Sequence, residues 1–329
     1  MTTTAVDQIP VIDVSGLQAA DDGAALADIG RRIAAACRDT GFFYIAGHGV
    51  PADVIEDVFV ANRTFHARPD AEKLPLKLNA WHRGYQPMAS TKMNSSARFA
   101  PATMPNQLES FIIRDAVSES DPRFKKEPFF GPNQWPDDPV FRAQVEGYHT
   151  TLRALAVRLL PAFACAVGNS PGFFDRYFDP PSTTLRLVHY PPTPADAPPD
   201  HIGIYPHTDY GFFTILAQDD VGGLEIQTVD GRWIEAPHIP GTFVVNIGDA
   251  MARWTNDAFN SSPHRVINKS ATRDRYSVAL FFDPNYGATI ACLDGFAATS
   301  DDVRHPPIRY IDYYRERMDS NHPDRAPAY

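Results

Sequence analysis

The chain has 329 residues, 43% apolar and 21% charged, with 30 Lys and Arg against 40 Asp and Glu for a formal charge of −10. That apolar share supports a sizeable core and excludes a mainly disordered chain. An acidic excess repels phosphate backbones and anionic lipid, so no nucleic acid and no membrane is expected as a partner.

Proline is the unusual component: 30 of 329 residues, about 9% against a usual share near 5%. That density suits short strands and ordered loops better than a helical bundle. Cys37, Cys165 and Cys292 are the three cysteines and form no CxxC. Neither a disulfide framework nor sulfur-ligated zinc is indicated, and three buried thiols in a reducing, cytoplasmic compartment are expected. The leading MTTTAVDQIPVID lacks a basic segment followed by an apolar one, so no signal peptide is expected. No apolar stretch approaches the roughly 20 residues a membrane-spanning helix needs.

In chain order, IPVIDV at 9–14 reads as a first strand. Leu26, Ile29, Ile33 and Cys37 recur at helical spacing in a segment led in by acidic Asp21 and Asp22. GFFYIAGHGV at 41–50 is a glycine-bounded strand, and a second helix is expected from Asp53 toward Ala71. Residues 83–140 read as irregular, and a longer helix spans Phe141 to Val167 with one broadly apolar side. Short strands follow at 184–190, 212–218, 223–228, 232–236, 242–248, 264–268 and 275–283, with a VDG hairpin turn at 229–231. Pro306 to Met318 reads as a Pro-initiated helix. Closely spaced strands with few helices between them predict an antiparallel sandwich or barrel. The expected regions are 1–120 packing on the core, 121–180 connecting, 181–300 the β core and 301–329 a C-terminal helix and tail.

His207 and Asp209, in YPHTDYG, lie two positions apart, and in extended backbone both side chains point to one face. His264 opens a later strand-like run, HRVIN. Two imidazoles and a carboxylate match the facial triad of non-haem Fe(II) oxygenases, which keeps metal positions open. Taken singly, His207 also reads as a polar strand end and His264 as a hydrogen-bonding histidine. Arg275 and Ser277 again sit at i and i+2 and form a carboxylate clamp, or a surface ion pair beside an ordinary serine. Charge links the two pairs. Fe(II) with two neutral His and one Asp carries about +1, a chelating 2-oxo diacid brings about −2, and one Arg cancels the remainder, which eases burial.

HTDYGFFTILAQDDVGGLEIQ, WIEAPHIPGTFVVNIGDAM and SSPHRVINKSATRDRYSVALFFDPN together resemble the Fe(II)/2-oxoglutarate dioxygenase superfamily, and its isopenicillin N synthase-like branch fits best. IPVIDVSGL, GFFYIAGHGV and RGYQP resemble the N-terminal partner region of that branch. The resemblance implies an α+β, mainly β fold: a distorted double-stranded β-helix (jelly-roll) core with N-terminal and flanking helices. It implies Fe(II) on His207, Asp209 and His264, 2-oxoglutarate held by Arg275, Ser277 and Tyr190, and O2 as oxidant. Many relatives carry Asn where this chain has Val188. Phe281 falls where relatives often place an aromatic against the substrate, with core packing as its other reading. Arg186, alternating toward Tyr190, is placed to meet an anionic small-molecule substrate.

The activity implied is oxidation of a small organic metabolite by hydroxylation, desaturation or ring closure, with release of succinate and CO2. The alternatives are an isopenicillin N synthase-like oxidase that uses no 2-oxoglutarate, an ethylene-forming variant, and a non-catalytic metal- or ligand-binding β-sandwich. Asp219 and Asp220 read as turn residues, His48 as a structural hydrogen-bonding residue, and Tyr310, Tyr313 and Tyr314 as helix packing. Substrate specificity is expected in residues 83–115, among Asn94, Ser95, Ser96, Arg98 and Asn106, and in the C-terminal helix. Oligomeric state has no signature in the sequence.

Overall fold

A computed structural model describes residues 9–18, 23–92, 99, 102–127 and 129–321. Asp21, Asp22, Asn94, Ser95, Ser96 and Arg98 lie outside them. The N-terminal part contains β1 (Val11–Asp13), α1 (Gly23–Asp39), β2 (Phe42–Ala46), α2 (Ala52–His66), α3 (Asp70–Lys73), β3 (Gly84–Gln86) and β4 (Glu109–Arg114). The long α4 (Pro139–Ala166) leads into β5 (Ser182–Tyr190), β6 (Ile204–His207), β7 (Phe213–Gln218), β8 (Leu224–Gln227), β9 (Trp233–Glu235) and β10 (Phe243–Ile247). Then come α5 (Asp249–Trp254), β11 (His264–Val266), β12 (Arg275–Asp283), β13 (Thr289–Ile290), β14 (Ile308–Arg309) and α6 (Tyr310–Asn321).

Eight strands form the major sheet in the order β1-β2-β10-β7-β12-β5-β4-β3, and four form the minor sheet, β6-β11-β8-β9. This is the jelly-roll core. The inner face of the major sheet, with β6 and β11, surrounds an apolar cluster that includes Phe42, Tyr44, Val188, Tyr190, Ile226 and Val266. The outer face packs the larger core against the helices. Phe141, Val145, Tyr148, Leu152, Leu155, Leu159 and Phe163 recur along one side of α4, and all are buried in that core. Asp138 starts the helix by accepting the amides of Val140 and Phe141 at 3.1 and 3.0 Å, with Pro139 in the first turn.

Three expectations need correction. The segment read as irregular, 83–140, supplies two strands of the major sheet, with β4 paired along β5 from Glu109↔His189 to Arg114↔Thr184. A strand reading ESFIIR is polar at both ends, and only its tertiary partners bury Glu109 and Arg114. The C-terminal helix begins at Tyr310, because Ile308 and Arg309 first pair with Ile290 and Thr289. Of the three thiols only Cys37 is buried; Cys165 and Cys292 are half-buried.

Candidate metal centre and active-site cleft

β6 and β11 are adjacent and antiparallel, and their register sets His264 directly opposite His207, with ring centroids 4.2 Å apart. Asp209 follows two residues after β6 ends. Its Oδ1 lies 3.9 Å from His207 Nε2 and 3.8 Å from His264 Nε2, too far for hydrogen bonds. One ligand atom from each of the three residues falls within 4.8 Å of the others, and among the described residues this is the one such His/Cys/Asp/Glu group.

The opposite ends of the same side chains are tied down. His207 Nδ1 contacts the Tyr205 carbonyl at 2.8 Å and His264 Nδ1 that of Ser262 at 3.3 Å, which turns both Nε2 atoms inward as acceptors. Asp209 Oδ2 accepts from Thr214 Oγ1 at 2.6 Å and Asn246 Nδ2 at 2.8 Å, leaving Oδ1 for the centre. Burial pushes His207 down to about 3, so its imidazole is neutral at physiological pH. Burial works against the ionised form of Asp209, but the imidazoles of His264 and His207 and the bonds from Asn246 and Thr214 outweigh it and hold its carboxyl below the usual range. Two imidazole nitrogens and one carboxylate oxygen, oriented by outer hydrogen bonds, form a donor set that fits Fe(II).

The loop after β6 needs glycine for close approach. A Cβ on Gly211 would lie 1.7 Å from Asp283 Oδ1, and one on Gly248 would lie 2.4 Å from the Gly211 carbonyl oxygen.

Along the inner face of the major sheet, β12 presents Arg275, Ser277, Ala279 and Phe281 opposite Tyr190, Val188, Arg186 and Thr184 of β5. The Arg275 guanidinium is fully buried, 4.7 Å from the centre of the Tyr190 ring. Its Nε donates to the Gly222 carbonyl at 2.6 Å and its Nη2 to Gln218 Oε1 at 3.3 Å, whereas Nη1 is buried without a partner. A buried cation with an orphaned donor fits a carboxylate brought in from outside.

A cleft opens on His207 and Asp209, and its walls include Gln86, Arg114, Arg186, Phe281, Asp283 and Tyr314. Both residues expected to face substrate, Phe281 and Arg186, therefore line it, as does Asn106. Arg275, Ser277, Tyr190 and His264 are not among its walls. Ala279, with its small side chain, stands opposite Arg186, which is held by Ser110 Oγ at 3.0 Å and Gln86 Oε1 at 2.9 Å. Asp283 was not foreseen from the sequence; burial raises its carboxyl to about 7. Asn246 and Thr214 were also missed, although an Asn inside the apolar run FVVNI is a visible signal for a buried polar contact. Tyr310, Tyr313 and Tyr314 do pack as expected, and Tyr314 additionally reaches the cleft. Asp219 serves its turn by accepting the Val221 amide at 3.1 Å, and His48 Nδ1 accepts the Val50 amide at 3.1 Å.

Residues 181–284 match the 2OG-Fe(II) oxygenase superfamily, and residues 9–138 match the N-terminal region described as non-haem dioxygenase in morphine synthesis. The chain is 33% identical to the 2-oxoglutarate-Fe(II) type oxidoreductase hxnY of Emericella nidulans, covering 97% of this chain and 92% of the relative. It is 36% identical to the 2-oxoglutarate-dependent dioxygenase citB of Monascus ruber, over 87% and 88% of the two chains. The solved structure of a full-length Neurospora crassa protein in complex with alpha-KG (2-oxoglutarate) and thymine superposes with a TM-score of 0.82 at 28% identity, covering 95% and 96%. The isopenicillin N synthase-like branch is consistent with these relatives, and nothing in them favours an oxidase without 2-oxoglutarate, an ethylene-forming variant or a non-catalytic sandwich. With this barrel, this donor set and these relatives, the chain belongs to the 2OG-Fe(II) oxygenase superfamily and is an Fe(II)- and 2-oxoglutarate-dependent dioxygenase.

Proposed function

We propose that His207 Nε2, Asp209 Oδ1 and His264 Nε2 hold the iron, that Arg275 and Ser277 beside Tyr190 hold the distal carboxylate of 2-oxoglutarate, and that the cleft takes a small organic substrate. The supporting observation is a pair of open valences inside one barrel: three converging ligand atoms and the orphaned Nη1 of Arg275. Bound there, iron supplies the oxygen-activating chemistry that couples decarboxylation of 2-oxoglutarate to oxidation of the substrate, with O2 as oxidant.

The protein's own contribution is placement. Asn246 and Thr214 keep Oδ2 of Asp209 occupied, so one oxygen faces the metal and the remaining positions stay open. Arg275 fixes the far end of the cosubstrate by charge and geometry, and the apolar cluster around it keeps water out. Arg186 places a cation and Phe281 an aromatic face on the cleft wall, an arrangement suited to a planar or compact molecule with a carboxylate or carbonyl acceptor. Free thiols and the acidic surface charge suit a cytoplasmic enzyme acting on a metabolite, without a nucleic-acid or membrane partner. Among the described residues no helix is long and apolar enough to cross a membrane.

Anaerobic titration of the apo-protein with Fe(II) and then 2-oxoglutarate tests the reading. A visible charge-transfer band is expected in the native chain and not in Arg275→Met at the same cosubstrate concentration. A band of full intensity in that variant would remove Arg275 from the clamp. Succinate release screened over small carboxylates and cyclic amides, with Arg186→Leu alongside, tests the cleft: KM for the prime substrate should rise while the affinity for 2-oxoglutarate stays put.

A further inference from the structure

A half-buried carboxylate outside the trio joins the parts of the site. Asp249 opens α5 directly after β10. Its Oδ1 accepts from Ser261 Oγ at 2.7 Å, and its Oδ2 from Thr208 Oγ1 at 3.2 Å, Tyr313 OH at 3.2 Å and Arg317 Nη2 at 3.3 Å. Its amide donates to the Asp209 carbonyl at 2.8 Å.

Each partner belongs to a segment with a stake in the site. Thr208 lies between His207 and Asp209. Ser261 adjoins Ser262, whose carbonyl takes the Nδ1 contact of His264. Tyr313 and Arg317 are one turn apart on α6 and so face Asp249 together, while Tyr314 and Met318, spaced likewise, line the cleft. Arg317 also lies 4.7 Å from the ring centre of Tyr210, another wall of the cleft. Displacing α6 would strip Asp249 of two of its four donors. A half-buried carboxylate that loses two of its donors leans on the two that remain, so its bonds to Thr208 and Ser261 would shift as well.

We propose that Asp249 is a positioning residue that couples the seating of α6 over the cleft to the alignment of His207, Asp209 and His264. The proposal rests on the reading of that trio as the metal site. Reciprocity follows: metal in the trio holds α6 down, and α6 held down tightens the metal.

Co(II) is the probe, with its visible absorption giving the metal Kd for the native chain, Asp249→Asn, Arg317→Met and Tyr313→Phe. Tryptic cleavage within α6 at Arg315 is followed with and without Co(II). Co(II) is expected to slow that cleavage in the native chain. Asp249→Asn should weaken Co(II) binding by roughly 10-fold or more and abolish the protection, as loss of a group orienting metal ligands does. Arg317→Met and Tyr313→Phe should shift both readouts in the same direction by smaller factors, and they decide the matter if Asp249→Asn does not fold. Native Co(II) affinity in both α6 variants, or cleavage of the native chain indifferent to Co(II), would overturn the coupling. Failure of the native chain to bind Co(II) would instead defeat the trio itself.

Discussion

The two faces of the major sheet each carry a buried polar cluster, and the clusters differ in whether the protein closes them. On the outer face, Glu109 accepts from Lys73 Nζ at 2.8 Å and from the Tyr85 hydroxyl, and meets His189 Nδ1 at 2.8 Å. His189 Nε2 in turn reaches Asp274 at 2.7 Å. One residue along the same strands, the inner face offers Ser110, Arg186 and Tyr190, and across the barrel the trio. There the Nε2 atoms and Asp209 Oδ1 converge without bonding one another, and Arg275 Nη1 has no partner. Both faces bury histidine, acid and base. Buried charge by itself therefore does not mark a site, nor does one unpaired atom such as His66 Nε2 beside the outer cluster; several open ligand atoms converging on one point do.

The largest effect that would break this contrast is expected on the inner face. His264→Ala or Asp209→Ala should lower turnover by about 10³-fold or more, since several kcal/mol of metal-derived stabilisation go with the ligand. Far-UV circular dichroism should stay native, and succinate release is the measurement. Full activity in both variants would defeat the assignment. Arg275→Met should weaken 2-oxoglutarate by about 2–5 kcal/mol, roughly 30- to 4,000-fold in Kd, read by anaerobic titration.

The outer face should respond in stability and not in chemistry. Glu109→Gln leaves buried Lys73 with only exposed Asp70, 3.3 Å away, as its charge partner and should cost about 3 kcal/mol in urea unfolding. A loss of 2-oxoglutarate affinity without a loss of stability in that variant would erase the distinction between the faces.

The smallest effect is a pH dependence. Burial disfavours charged His189, but hydrogen bonds to Glu109 and Asp274 prevail and raise its pKa above 6.5. Its stabilisation is thus complete below 6.5 and is lost as pH rises through the raised value. Burial likewise opposes ionised Glu109, yet bonds from His189, Lys73 and Tyr85 hold it down to about 2, so its share is complete above 4.5 and lost as pH falls toward about 2. Thermal melts of the native chain should decline on both flanks, and His189→Gln should flatten the alkaline one.

Much of this was legible from residue patterns. The strands from Thr184 to Asp283 read correctly except β6, because β-branched and aromatic runs are bounded by Gly, Pro and Asp turns; the four residues IYPH of β6 form no such run, and the HxD and RxS pairs stood out because alternation points i and i+2 one way. β4 was missed for a physical reason: Glu109 and Arg114 look like surface charges until Lys73, His189, Tyr286 and Tyr314 enclose them. Asp249 was missed similarly, since its four donors come from three segments far apart along the chain.

Local periodicity along the chain dictates which side chains share a face, and with it the chemistry available to each strand. Which faces meet is set by long-range packing alone. The pairing of β6 with β11 sets His207 against His264, and the packing of α6 brings Tyr313 and Arg317 to Asp249, because register and burial are properties of contacts distant in the chain.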